Sequence, residues 1–262
     1  MHRMYSRKII DETFRLKTLG LTDKQIAAQC GVSIFAVRHW RYGTRRTPES
    51  ESDRADYCPR CSTGQLDPEA YPYLLGLYLG DGYIGRLHRD VTYLSIACCD
   101  TWPGLMIECT EAMSAVFPVS VFKVQRQGCT EVKGASTHWT CIFPQHGPGK
   151  KHERLIALEA WQQELVDARP DRFIRGLIHS DGCRALNRIR KKNGEGFYEY
   201  PRYHFSNVST DIVELLTAAL DQLDIPWKSH VKRQEPYLDQ VTVSISRKAA
   251  VARMDTIVSP KY

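Results

Sequence analysis

The chain has 262 residues, 42% of them hydrophobic and 25% charged. That balance excludes a disordered or fibrous polypeptide and suits one large domain or two small ones. No apolar run approaches the roughly 18 residues that a membrane helix needs, and Met1-His2-Arg3-Met4-Tyr5 opens no apolar leader. Nine cysteines without regular spacing then predict an intracellular, cytoplasmic chain carrying thiols and not a disulfide framework. The net charge of +6 is uneven. Residues 1–50 hold ten Lys/Arg and four Asp/Glu, whereas residues 51–262 hold 26 of each. The excess therefore sits in the first fifth of the chain and asks for an anionic partner, nucleic acid first. A second basic cluster, Arg184, Arg188, Arg190, Lys191 and Lys192, contains no acid.

Residues 7–18 read as a helix that Gly20 ends. Thr22-Asp23-Lys24-Gln25 is a capping-box pattern opening a short helix with Ile26, Ala27 and Ala28. Gly31-Val32 makes a tight turn, and Ser33 caps a third helix through Val37 and Trp40 to Arg41. Residues 1–43 are thus a small all-α domain that resembles helix-turn-helix DNA-binding domains. The resemblance implies that the third helix enters the major groove. Ser33, Phe35, Ala36, Arg38 and His39 then meet bases or phosphates, and Arg41, Arg45 and Arg46 meet phosphates.

Residues 44–69 read as a polar linker containing Cys58-Pro59-Arg60-Cys61. The thiol pair is a candidate zinc knuckle, and the two further ligands a structural zinc needs are open among Cys98, Cys99, Cys141, His138, His146 and His152.

An internal repeat follows. Leu74-Leu75-Gly76-Leu77-Tyr78-Leu79-Gly80-Asp81-Gly82 aligns without a gap on Ile174-Arg175-Gly176-Leu177-Ile178-His179-Ser180-Asp181-Gly182. Small residues four apart lie on one helix face, Gly76 with Gly80 and Gly176 with Ser180. Glycine inside a helix costs about 1 kcal/mol against alanine, so two helices that carry it on one face do so to touch closely. Pro72 and Pro170 mark the helix starts, and Gly82 and Gly182 suit left-handed C-terminal positions. Asp81 and Asp181 face the negative ends of their helix dipoles, and packing the helices brings the two acids together. That arrangement requires a cation or a raised pKa, and paired carboxylates are what metal-assisted phosphodiester hydrolysis uses.

These runs resemble the two motifs of a LAGLIDADG homing endonuclease in its monomeric, two-repeat form. The resemblance covers residues 70–169 and 170–262 and implies an α+β fold of two pseudo-symmetric αββαββα repeats. The motif helices form the seam, and two antiparallel sheets lie along the major groove of double-stranded DNA. It also implies that Asp81 and Asp181 bind Mg²⁺ or another divalent cation. Leu79 and His179 stand where the motif often has an acid that is not the metal ligand, and Arg175, polar in an apolar helix, is expected to face solvent. Within each repeat, Leu94–Asp100 aligns with Phe205–Asp211 as a strand ending in an aspartate cap. Helices are expected at Leu105–Val116 and Ile212–Leu223, then strands at Val119–Val124, Trp139–Phe143, Trp227–Lys232 and Val241–Ser246. The family places late basic side chains near the scissile phosphates, which implies catalytic roles for Lys150 and Lys248. The hairpin turning at Asn193-Gly194 implies DNA contacts from Arg184, Arg188, Arg190 and Lys192, with Arg86 as the first-repeat counterpart. The expected activity is site-specific cleavage by a monomer, without membrane contact. The rival is a transcription regulator on the same scaffold that binds DNA and leaves it uncut. RNA splicing assistance is a more distant third, because no aromatic RNA-binding platform is evident.

Overall fold

The computed structural model describes residues 7–42, 58–61, 64–87, 91–259 and 261. Three helices, α1 (Arg7–Thr18), α2 (Asp23–Cys30) and α3 (Ile34–Tyr42), make the first of two compact units. Thr22 and Gln25 close a reciprocal capping box on α2, and Gly31 ends that helix at φ 64°. Ser33 Oγ accepts from the Ala36 amide at the start of α3. Leu16, Ile26, Ala27 and Val37 form the small core between the helices. Asp23, at the foot of α2, draws Lys17, Arg38 and Arg41 to within 3.2–3.6 Å.

The second unit runs from Gln65 to Tyr262 and contains one arrangement twice. In the first copy, α4 (Ala70–Asp81) leads into β1 (Gly82–Arg86), β2 (Thr92–Cys99), α5 (Pro103–Val116), β3 (Val121–Arg126) and β4 (Cys129–Ser136). A single turn, α6 (Trp139–Ile142), and α7 (Ala160–Ala168) connect the copies. In the second, α8 (Pro170–Asp181) leads into β5 (Gly182–Arg190), β6 (Phe197–Asn207), α9 (Thr210–Gln222), β7 (Lys228–Gln234), β8 (Tyr237–Ile245) and α10 (Lys248–Val258). Each sheet is antiparallel with the same strand order, β1-β2-β4-β3 and β5-β6-β8-β7. The fold is α+β, with two four-stranded sheets, as the repeat implies.

The two motif helices meet backbone to backbone. A Cβ on Gly76 would stand 2.7 Å from the Leu177 amide nitrogen and 2.7 Å from the Phe173 carbonyl. One on Gly176 would overlap the Tyr73 carbonyl and stand 3.0 Å from the Gly76 Cα. At the last turn, Gly80 faces the Ser180 side chain. The glycines that follow the aspartates serve a different purpose from the expected one. Gly82 and Gly182 are extended, at φ −85° and −107°. They are small because a Cβ would strike the backbone of Tyr78 or Ile178 one turn back.

Several expected elements differ. Residues Trp139–Phe143 are not a strand: Trp139–Ile142 is a helical turn, and the fourth strand of the first sheet is Cys129–Ser136. Trp139 is buried, with its indole N–H donating to the Gly134 carbonyl, so an apolar run reads as a strand although it plugs the core. The expected cap Asp211 instead accepts from the Ile156 amide, and Ser209 caps α9. Asp100 accepts from Gln125 and Thr130. Arg175 does not face solvent. It forks onto Glu108 of α5 at 2.7 and 2.8 Å and donates to the Val258 carbonyl at 2.6 Å. His179, one turn on, joins Val258 to α4: Nε2 donates to the Val258 carbonyl, which leaves Nδ1 to accept from the Tyr73 hydroxyl, both at 3.0 Å. Burial first, and Arg175 second, hold this imidazole at about 4, and so neutral.

The seam makes a direct prediction. Gly176→Ala forces a Cβ into backbone that has no room to yield, and should cost about 3 kcal/mol, roughly 6–12 °C in Tm for a chain of this size. Gly80→Ala meets only a side chain, so adding Ser180→Gly should restore most of its loss. Thermal melts of the three variants check both statements, and an unperturbed Gly176→Ala would contradict the seam.

Candidate active site and nucleic-acid interface

Because α4 and α8 touch along their length, their last residues, Asp81 and Asp181, end beside each other. The Asp181 carboxylate comes to 3.2 Å from where a Gly80 Cβ would lie. Asn207, at the end of β6, donates to Asp181 Oδ2 at 2.7 Å and fixes that carboxylate. Asp81 reaches solvent at its tip, yet the surrounding protein still deprives it of hydration. That loss first, and the Asp181 charge second, push the Asp81 carboxyl up to about 6. Asp181 is raised as well, chiefly by burial, with Lys151, Asn207 and Lys261 acting in the other direction.

Two lysines answer this charge. Lys151 Nζ donates to the carbonyls of Tyr78, Leu79 and Gly80 at 2.6, 2.9 and 2.5 Å, capping the last turn of α4. Burial lowers it to about 8, against the pull of both aspartates. Lys261 Nζ donates to the Gly182 carbonyl at 2.8 Å and lines a hollow with Asp81, Cys98 and Ser180. Neither lysine was among the residues singled out from the sequence. Lys150, the immediate neighbour of Lys151, is exposed and 3.9 Å from Glu153. Lys248 is exposed at the start of α10. Lys151 is the residue after Lys150; Lys261, far along the chain and alone, carries no sequence signal.

Strand alternation decides which side chains each sheet presents. In the second sheet Tyr203, Phe205, Val243 and Ile245 are buried under the helices. The opposite face carries Arg202, His204, Lys228, His230 and Lys232, as the pairings His204↔Ser244, Lys228↔Ser244 and His230↔Thr242 require. Arg184 pairs with Tyr203 and so lies on the helix side, where it forks onto Asp255 at 2.8 and 3.1 Å. Arg188 is on that same side, 2.7 Å from Glu199, and Arg190 follows two residues on. Lys191 lies over the Tyr198 ring at 5.4 Å, and Lys192 is exposed in the hairpin turn. In the first sheet the open face holds Tyr83, Tyr93, Phe122, Arg126, Glu131 and Lys133; Arg86 shares the helix-side face of Ile84 and Leu94. On α3, Phe35 is 81% exposed, and Arg38, His39 and Arg41 are exposed beside it. Arg45 and Arg46 lie outside the described residues.

No protein-family model matches the sequence, and no curated protein matches it. Solved structures do. The homing endonuclease I-DmoI, in a complex with DNA and manganese, is 16% identical; the match covers 74% of this chain and 99% of that one, with a TM-score of 0.45. I-SmaMI bound to an uncleaved DNA target in the presence of calcium ions is 10% identical over 74% of this chain and 85% of that one, with a TM-score of 0.44. Among the described residues, no helix is long and apolar enough to cross a membrane.

Cysteine chemistry gathers elsewhere. The ligand atoms of Cys58 and Cys61 lie within 4.8 Å of one another, a thiol pair that could hold a metal ion such as zinc. A turn places Cys61 over Cys58, with its amide donating to the Cys58 carbonyl at 3.0 Å. His138 and Cys141 stand three residues apart on the α6 turn, 3.7 Å between Nδ1 and Sγ.

The carboxylate pair leaves a pH signature. With Asp81 raised to about 6, the folded chain holds this proton more tightly than the unfolded chain, whose aspartate titrates near ~4. Stability should therefore fall as pH rises through that window, and the whole penalty should persist above it. Asp81→Asn should melt above the wild type at pH 7.5 and converge with it toward pH 4. Equal melting temperatures at both pH values would remove the electrostatic conflict.

Proposed function

We propose that this chain binds double-stranded DNA at a specific site and cleaves it with magnesium, one motif aspartate serving each strand, as a two-repeat LAGLIDADG endonuclease. The observation that carries the reading is the pairing of Asp81 and Asp181 at abutting helix ends, their carboxyls held up by burial and, for Asp81, by each other's proximity. Asp81 and Asp181 are the residues that would hold divalent metal, which supplies charge neutralisation at the phosphate and a more acidic water. Asn207 keeps Asp181 aimed. Lys151 and Lys261 reduce the repulsion between the acids before DNA arrives and stand ready for the negative charge that builds on the phosphate.

Recognition is divided in this reading. The open faces of the two sheets follow the major groove, with Arg202, His204, Lys228, His230 and Lys232 reading one half-site and Tyr83, Tyr93, Phe122, Arg126 and Lys133 the other. Arg184 and Arg188 lie on the other face, beside Asp255 and Glu199, and support the hairpin. The three N-terminal helices act as a helix-turn-helix module that lengthens the site, through Ser33, Phe35, Arg38 and His39 on α3 and phosphate contacts from Arg41, Arg45 and Arg46. The chain supplies both half-sites and works as a monomer. One observation favours the rival, a regulator that binds without cutting: Lys151 already covers the three carbonyls preceding Asp81, which meets part of the cation demand with protein alone.

Selection of bound duplexes from a randomised library in calcium, followed by magnesium, separates the two. Defined staggered ends should appear. The Asp81→Asn, Asp181→Asn double variant should bind the same site and cut it at least about a hundredfold more slowly. A bound site that stays intact in magnesium would leave the regulator.

The Cys58 and Cys61 pair is proposed to hold a structural zinc. Purified chain should carry one zinc, and cobalt exchange should yield thiolate-to-metal absorption bands; Cys58→Ser and Cys61→Ser should each reduce metal retention on the order of tenfold or more. Metal content indifferent to both substitutions would refute the site.

A further inference from the structure

Two of the chain's free cysteines face each other across a pair of strands. Cys99, the last residue of β2, pairs with Cys129, the first of β4, in antiparallel register. Residues directly opposite share one face of a sheet. Here it is the open face, because Cys129 also pairs with Arg126 of β3. Cys98 and Thr130, next along each strand, point the other way and are buried.

The type of pairing decides how near two thiols can come. Just beyond the pair, the Asp100 amide donates to the Gly128 carbonyl. Hydrogen-bonded and non-hydrogen-bonded pairs alternate along an antiparallel ladder, so Cys99 and Cys129 form a non-hydrogen-bonded pair. Such a pair holds its Cα atoms about 4.5 Å apart, inside the roughly 4.4–6.8 Å range that a disulfide spans. Side chains lock the same corner. Thr130 Oγ1 donates to Asp100 Oδ1 at 2.8 Å. Gln125 Nε2 donates to Asp100 Oδ2 at 2.8 Å and to the Cys129 carbonyl at 3.4 Å. The residue after each cysteine is thus tied to the other, and a bond between the sulfurs needs side-chain rotation without strand movement.

The two thiols are also open to reagents: Cys99 is exposed and Cys129 half-buried. Cys99 Sγ lies 3.4 Å from the Thr101 hydroxyl. That hydroxyl first, then the Thr101 amide, hold the Cys99 thiol below its ordinary value, and Lys261 acts in the same direction. The thiolate is the nucleophilic form. Cys98 and Cys109 also approach one another, but they are 4% and 0% exposed and closed to an oxidant.

We propose that Cys99 and Cys129 are a redox pair that hydrogen peroxide closes into a disulfide, and that bound DNA shields it. The Cys99 thiolate attacks one peroxide oxygen and breaks the O–O bond. The products are a sulfenic acid and a hydroxide, which takes up the Cys99 proton as water. The Cys129 sulfur then displaces the sulfenic oxygen, which leaves as a second water with the Cys129 proton. Two thiols are oxidised, and one peroxide is reduced to two waters. The shielding rests on the DNA reading, which sets this face against the duplex; the pair rests on strand register alone.

The full chain is treated with hydrogen peroxide, with and without the duplex selected in calcium, and its disulfides are mapped by peptide mass. A Cys99–Cys129 bond should form, reopen in a dithiol reductant, and be absent in Cys99→Ser and Cys129→Ser. Dimedone, which traps sulfenic acids, should label Cys99 in Cys129→Ser and leave Cys129 unlabelled in Cys99→Ser. The closed loop should raise the melting temperature by at least about 4 °C. Duplex at ten times its Kd should slow the oxidation about tenfold, because the free fraction sets the rate. Thiols that stay free, or a bond mapped to any other cysteines, overturn the pair. A Cys99–Cys129 bond without the rise in melting temperature overturns its strain-free register. Oxidation that ignores a bound duplex overturns the shielding and takes this face off the DNA, while the pair stands. A chain that binds no duplex and still forms the bond overturns the function proposed above and leaves the pair.

Discussion

Two helices whose backbones touch are the constraint from which the second unit is built. With Gly76 and Gly176 packed against the opposite main chain, α4 and α8 cannot slide or rotate relative to one another without a clash. Their ends are therefore fixed side by side, and so are the two acids that end them. The same contact aims each sheet, because Gly82 and Gly182 turn the chain directly from helix into first strand. The position of the carboxylates and the direction of the sheets are two results of one packing decision.

Such a seam concentrates negative charge at two neighbouring helix ends. Two helix C-termini, each worth about half an elementary negative charge, meet two carboxylates. Lys151 offsets this by covering the carbonyls of one helix end, and Lys261 by reaching the residue after the other. The lysines come from unrelated parts of the chain, one from the connection between repeats and one from its far end. The backbone repeats; the charge compensation does not. Arg175 and His179 show the same division of labour on the outer side of α8, where a buried ion pair and a neutral imidazole fasten the end of α10.

The seam, the paired aspartates, the capping box at Thr22 and the hairpin turn near Gly194 were legible because each is announced by a short local pattern, repeated in the first two cases. The small-residue spacing in the two motifs carries the helix contact directly. What was not legible depends on three dimensions. Trp139 reads as a strand residue by its apolarity, and only the core it fills makes it helical. Lys150 and Lys151 are equivalent neighbours in sequence, and the direction of one backbone turn sends just the second to the carbonyls at the end of α4. Arg184 and Arg188 read as a basic stripe, and only strand register sets them beside Asp255 and Glu199. Their neighbours Arg202 and His204, unremarkable in sequence, take the open face instead.

The open faces differ from the seam in how many neighbours each side chain has. Lys228, His230 and Lys232 project from a strand whose inward residues do the packing, so exchanging them disturbs almost nothing in the interior. At Gly76 and Gly176 no exchange is tolerated. A lineage descending from one duplicated ancestor would then accumulate its changes outside, position by position, while the centre stayed frozen. The two halves can drift to unlike preferences and still close on the same pair of acids. Divergence in what is gripped, at no expense to how it is handled, is the evolutionary freedom that this geometry confers.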